Sequence, residues 1–265
     1  MRLPRLPRGL GATAQLGLGH KEDARKTLQQ AQQVAPGNAE VHLALAQLAL
    51  ADGDSDKAMQ ALDQALRIDP GHRDSMLLKA DLLRATGKPA AAAAVYHEVL
   101  KVDPRHANAR LALAGIALAD DKLGDARREV DAALKASPNN LQVRYTQALI
   151  DFREKKTERA RDRLATVLKS APNYVPALLL GSSIEYALGN LQTAEAHLNK
   201  VAKATPNNLY ALRLLAATQL RLGRPDDAAS TLAPALKSTN QDPGVLVVAG
   251  EISLAKKDFA QASAY

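Results

Sequence analysis

Six prolines stand 34 residues apart, at Pro36, Pro70, Pro104, Pro138, Pro172 and Pro206. Alanine keeps the same interval at Ala24, Ala58, Ala92, Ala126, Ala160, Ala194, Ala228 and Ala262. A third series is small throughout: Ala12, Ala46, Ala80, Ala114, Ala148, Ser182, Ala216 and Gly250. Eight copies in register without an insertion leave few folds open. A unit of this length is one supersecondary element, which buries its apolar face only by stacking on its neighbours. Ala and Leu, both strong helix formers, dominate the apolar residues. Val and Ile never make the alternating runs that a sheet needs. Each unit therefore reads as two helices joined by a short turn.

The marks match the tetratricopeptide pattern, with small residues at positions 8 and 20 of each unit and proline at position 32. The expected fold is an all-α solenoid, a right-handed superhelix of antiparallel helix hairpins. The whole chain, residues 1–265, reads as a single array. Its units are 5–38, 39–72, 73–106, 107–140, 141–174, 175–208, 209–242 and an incomplete 243–265. Positions 8 and 20 are where the two helices of a hairpin approach most closely, so only small side chains fit. Gly19, Gly53, Gly87, Gly189 and Gly223 follow the first helix, where a left-handed residue ends it. Asp121 and Lys155 replace that glycine in repeats 4 and 5, at modest cost. Asp54 and Asn190 are placed to cap second helices, and Pro89 and Pro225 suit a first helical position. Asn38, Asn140, Asn208 and Asp242 are placed to cap first helices. Asn240 stands where repeat 7 would carry proline. Pro7, Gly9, Gly11 and Gly17 weaken the first helix of repeat 1, and repeat 8 stops inside its second helix. Solenoids normally seal both ends, so the chain is expected to be part of a longer array or to have an incorrectly assigned boundary, with ends open to association.

Chemistry is harder to find. The chain has no cysteine, which excludes disulfides, thiolate metal sites and a cysteine nucleophile. Its six histidines do not pair at metal-ligand spacing on one helix, and His72 and His106 share a cap position. No metalloprotease, nucleophile-elbow, phosphate-loop or dinucleotide motif is present. The expectation is a protein that is not an enzyme, with no cofactor and no metal. Of the net charge of +7, three come from Arg2, Arg5 and Arg8, and elsewhere both signs are interspersed. That is no nucleic-acid footprint. No apolar run reaches the ~18 residues of a membrane span. The basic N-terminus is broken by two prolines and lacks an apolar export region, so the chain as written would stay in the cytoplasm. A basic run in repeat 5, Lys155, Lys156, Arg159, Arg161 and Arg163, is interleaved with Asp151, Glu154, Glu158 and Asp162 and reads as a solvated stripe.

In stacked hairpins, positions 2, 5, 9, 12 and 13 should face a groove lined by first helices. Repeats 2 to 4 place there mainly Leu43, Gln47, Leu50, Leu77, Asp81, Arg84, Leu111 and Leu118. Repeats 5 to 7 differ, presenting Tyr145, Phe152, Arg153, Tyr186, Tyr210, Arg213 and Arg221. Such rings serve equally well as packing between neighbouring helices. The sharper expectation is a contact patch for a protein or peptide, because aromatic and Arg side chains are the usual interface anchors. The arginines suit an acidic peptide, a chain terminus or an anionic sugar polymer. The patch lacks the Lys/Asn clamp of chaperone-binding repeats.

Four stretches carry a closer likeness: YTQALIDFREKKTERARDRL (Tyr145–Leu164), GSSIEYALGNLQTAEAHLNKV (Gly181–Val201), PNNLYALRLLAATQLRLGRPDDA (Pro206–Ala228) and AGEISLAKKDF (Ala249–Phe259). Over roughly Ala39–Tyr265 the chain resembles the tetratricopeptide-repeat lipoprotein (PrsT type) of bacterial PEP-CTERM/exosortase systems. The resemblance implies a longer parent in exopolysaccharide-producing Gram-negative bacteria, located in the periplasm or anchored as a lipoprotein. It implies a role in surface-protein sorting or polymer export and brings no catalytic residue. The chain departs from that family in lacking a lipoprotein signal with its lipidated cysteine. Two other roles fit the repeats: a cytoplasmic adaptor, or the recognition region of a larger enzyme such as a glycosyltransferase.

Overall fold

The computed structural model describes residues 21–237 and 242–265. The weakened first helix of repeat 1, its turn residue Gly19 and Asn240 lie outside the described residues. Within them the chain is all helix, with no strand. The helices are α1 (Lys21–Val34), α2 (Ala39–Ala51), α3 (Ser55–Ile68), α4 (Arg73–Ala85), α5 (Pro89–Val102), α6 (Ala107–Ala119), α7 (Leu123–Ala136), α8 (Leu141–Arg153), α9 (Thr157–Ser170), α10 (Val175–Ala187), α11 (Leu191–Ala204), α12 (Leu209–Arg221), α13 (Pro225–Leu236), α14 (Pro243–Ala255) and α15 (Phe259–Ala264). The even-numbered helices from α2 to α14 are the first helices of successive hairpins and the odd-numbered ones the second. The chain divides into two compact units, Met1–Ala136 and Ser137–Tyr265.

The two kinds of helix are buried differently. A second helix buries one stripe: Ala58, Leu62 and Ala65 in α3, Ala160, Leu164 and Val167 in α9, Ala194, Leu198 and Val201 in α11. The intervals of four and three place these side chains on one face of a 3.6-residue helix. A first helix is buried on more than one side. α10, for example, encloses Ala177, Leu178, Leu180, Gly181, Ser182 and Ile184. It packs against its own hairpin partner and against the second helix before it. The alanines at positions 8 and 20 are fully enclosed, as Ala148 and Ala160 show.

The turn after each first helix has one construction. The left-handed residue is Gly53, Gly87, Gly189 or Gly223, with φ between +75° and +79°. Asp121 (+57°), Lys155 (+61°) and Lys257 (+62°) adopt it without being glycine. The next amide then reaches back to the last turn, as in Asp54 N to Ala49 O and Lys88 N to Leu83 O, both 2.8 Å. This is a Schellman closure, which satisfies carbonyls that the helix end leaves open. The start signals mostly hold. Asn38, Asp54, Asn140, Asn208 and Asp242 each accept a backbone N–H in the first turn of the helix that follows. Asn190 does not: its side-chain amide donates to Glu185 Oε2 at 2.7 Å and makes no cap. His106 caps α6 through Nδ1, whereas His72 turns to the Ser75 hydroxyl at 2.8 Å. α13 is two residues shorter than the other complete second helices and contains Pro234, which has no N–H to continue the ladder.

Polar burial distinguishes the C-terminal unit. Positions 11 and 23 of a hairpin face one another. In repeat 3 they are apolar, Leu83 and Val95, and pack in one core with Tyr96. Burial, then the hydrogen bond to Asp81, push the Tyr96 hydroxyl up to about 12. In repeat 7 the same two positions are Gln219 and Thr231, bonded at 2.8 Å. In repeat 5 they are Asp151 and Arg163, with Arg163 Nε 2.8 Å from Asp151 Oδ2 and Arg159 Nε 3.4 Å from it. Asp151 is wholly buried. The basic stripe expected to be solvated is thus anchored by an internal carboxylate, because Asp151 falls on the hairpin-facing side of α8. Arg161 and Lys155 remain exposed.

Candidate functional site

The expected contact residues all belong to the C-terminal unit, on α8, α10 and α12. The structure separates them into two groups. Tyr145 and Phe152 pack against a core that includes Ala148, Leu164, Ala177 and Ile184. The Tyr145 ring meets Tyr174 edge-on, with centroids 5.8 Å apart and planes at 79°. Burial raises the Tyr145 hydroxyl above its usual value, with Tyr174 adding to the shift. These two rings behave as hairpin packing. Arg153 is exposed at the end of α8.

The other four residues meet across the facing sides of α10 and α12. The Arg221 guanidinium lies 4.5 Å from the centre of the Tyr186 ring, and its Nη1 donates to Tyr186 O at 3.2 Å. Tyr210 is 45% exposed, and its hydroxyl shares a hydrogen bond with Ser183 Oγ at 2.8 Å. Arg213, one turn further along α12, sits 5.6 Å from the Tyr210 ring centre. Its Nη1 also reaches Asp242 Oδ1 at 3.4 Å, at the start of α14. Gly244 faces the same guanidinium, and a Cβ there would collide with Arg213.

The result is a strip of two rings and two guanidinium groups, braced by Ser183, Asp242 and Gly244. Sequence reasoning missed all three braces. Ser183 occupies position 9, one of the expected groove positions, and a small hydroxyl drew no notice there. Asp242 both caps α14 and braces Arg213, and the sequence signals only the cap. Neighbouring first helices supply the partners of each side chain in the strip. Exposed cation–π pairs of this kind are worth only ~0.5–1 kcal/mol each. A carboxylate from outside can therefore approach the guanidinium edges without dismantling a strong internal pair. Rings of this type offer apolar faces with a polar tip. Among the described residues there is no group of three or more His, Asp or Glu placed to hold a metal, and no helix is long and apolar enough to cross a membrane.

Models of the tetratricopeptide repeat match residues 10–73 and 77–140, and again 151–218 and 185–248. No curated protein matches the sequence. Solved structures that match share the fold at low identity. A tetratricopeptide repeat protein from Parabacteroides merdae is 17% identical, with a TM-score of 0.68, over 85% of this chain and 90% of that one. Pseudomonas aeruginosa pilF is 20% identical, with a TM-score of 0.69, over 78% of this chain and 94% of that one. YrrB, described as having an unusual peptide-binding site, is 16% identical, with a TM-score of 0.54, over 78% and 98%.

Proposed function

The chain belongs to the tetratricopeptide-repeat family, and from that premise we propose that it is a non-enzymatic scaffold whose C-terminal unit holds an acidic segment of a partner protein. Repeats of this family generally mediate contacts between proteins. The observation that carries the reading is the strip on α10 and α12: Tyr186 under Arg221, and Tyr210 between Ser183 and Arg213. Its rings supply apolar area and its guanidinium groups supply charge for carboxylates. The 34-residue register runs through the sequence of both compact units, which supports reading residues 1–265 as one repeat array.

The scaffold serves a bacterial PEP-CTERM protein-sorting and exopolysaccharide-export system, and its parent is held in the periplasm or at the membrane as a lipoprotein. This assignment rests on the likeness of Tyr145–Leu164, Gly181–Val201, Pro206–Ala228 and Ala249–Phe259 to the lipoprotein of those systems. The test is made in a host that carries such a system. An allele with Tyr210→Ala and Arg221→Ala, expressed at the wild-type level, is compared with a deletion for delivery of a PEP-CTERM protein to the surface. Both should fail. Normal delivery in the deletion strain removes the assignment to that system. Loss in the deletion but not in the double variant removes the strip as the contact.

A further inference from the structure

The two arginines of the strip are held in different ways. Arg213 is half-buried near the start of α12. Its Nη1 faces Asp242 Oδ1 at 3.4 Å, and Asp242 also accepts the Val245 amide as the cap of α14. The amide end of a helix attracts an anion, and here the chain's own carboxylate already occupies that place. A second carboxylate at Arg213 would meet a like charge. The backbone at Gly244 packs so close that a Cβ there would collide with this guanidinium.

Arg221 is exposed at the last position of α12 and pairs with no carboxylate among the described residues. The half-buried Tyr186 ring lies 4.5 Å from its guanidinium carbon, and Nη1 donates to Tyr186 O at 3.2 Å. These contacts use one face and one nitrogen, and Nε and Nη2 have no partner among the described residues. That edge is a fork, which takes a carboxylate through two parallel hydrogen bonds. The donation to Tyr186 O also covers a carbonyl at the end of α10, so an incoming anion meets the cation and not the negative end of that helix. Neighbouring acids are engaged elsewhere: Glu185 by Asn190 at 2.7 Å, Glu195 and Asp227 by Arg224. Glu251 of α14 pairs with neither arginine among the described residues. The sequence singles out the same place. Position 13 is alanine in repeats 2, 3, 4, 6 and 8 and arginine in repeats 5 and 7. Position 12 of the preceding repeat is Leu118 for Arg153 and Tyr186 for Arg221. The pairing of ring and arginine at these positions therefore belongs to the junction of repeats 6 and 7.

We propose that Arg221 is the carboxylate anchor of the strip, taking one side-chain carboxylate of the partner segment through Nε and Nη2, while Arg213 is a positioning residue that holds Tyr210 and the start of α14. This rests on the reading of the strip as the contact for an acidic segment, and assigns its charge recognition to a single fork. The test uses the full chain with isotope-labelled arginine side chains and the peptide acetyl-hexaglutamate-amide. The Arg221 Nε resonance, identified by its loss in Arg221→Lys, should shift saturably and further than that of Arg213. Lysine keeps the charge but not the planar fork. Arg221→Lys should therefore weaken binding about tenfold, ~1.4 kcal/mol, and Arg213→Lys by less than about threefold. Circular dichroism checks that each variant is folded, and the wild-type resonances decide the matter if one is not. Equal losses from the two lysine substitutions, or a larger Nε shift at Arg213 than at Arg221, overturn the assignment while leaving the strip as an acidic contact. No binding by the wild type at millimolar peptide removes both.

Discussion

Replacing Arg163 by Val should expose how the repeat-5 hairpin is held. Asp151 is wholly buried, and Arg163 Nε is 2.8 Å from its carboxylate. Losing one partner of a buried pair typically costs ~3–5 kcal/mol, because the other charge is left in a poor solvent. Two facts place this case below that range. Arg163 is itself 25% exposed, and Arg159 remains 3.4 Å from the carboxylate, although it is half exposed and weakly held. A loss of ~2–3 kcal/mol is expected for Arg163→Val. Adding Asp151→Leu should restore most of it. That double variant re-creates the pair Leu83/Val95, which packs in repeat 3 at the same two positions. Replacing a buried ion pair with matched apolar residues is commonly neutral or stabilising. The cycle is read by urea unfolding, with amide exchange in α8 and α9 as a local measure, since a chain of two compact units need not unfold in one step. A cost under ~0.5 kcal/mol for Arg163→Val, or a double variant no more stable than Arg163→Val alone, would refute a hairpin held by this buried pair.

Other outcomes follow from the same structure. Lys155 holds φ at +61°, so Lys155→Gly should raise urea stability by about 1 kcal/mol, whereas Gly189→Ala at φ +79° should lower it by a similar amount. Ala160→Leu puts a larger side chain into a fully enclosed contact and should cost ~1–3 kcal/mol, read by thermal unfolding. Burial, then Lys200, lower the His197 pKa below its usual 6.5, against an opposing pull from Glu185. A depressed folded pKa means that the stability it brings is complete above pH 6.5 and is lost as pH falls through the folded value. Urea midpoints should therefore decline on acidification below pH 6.5 more steeply in the wild type than in His197→Leu, and parallel curves would contradict this.

The fold was legible because period, small residues and turn signals all record one physical constraint, the close approach of two helices every 34 residues. Ala160 cannot grow, and Gly189 cannot gain a Cβ without strain, so both leave a mark in one sequence. The side on which a polar residue lands left no such mark. Asp151 looks like any helix-surface acid until α8 and α9 are placed, and only then does its carboxylate face inward. Tyr145 and Tyr186 occupy groove positions alike in sequence, yet the first finds Tyr174 and packs while the second stays at the surface beneath Arg221. The difference depends on the neighbouring repeat, which periodicity does not report.

The central claim is that the strip on α10 and α12 holds an acidic partner segment. Fluorescence anisotropy of a labelled peptide rich in glutamate and aspartate, titrated with the full chain at low and moderate salt, tests it most directly. Binding should weaken as salt rises. It should fall at least tenfold, ~1.4 kcal/mol, in a folded Tyr186→Ala/Arg213→Ala/Arg221→Ala variant. Affinity unchanged by both the salt and the triple substitution would contradict the claim.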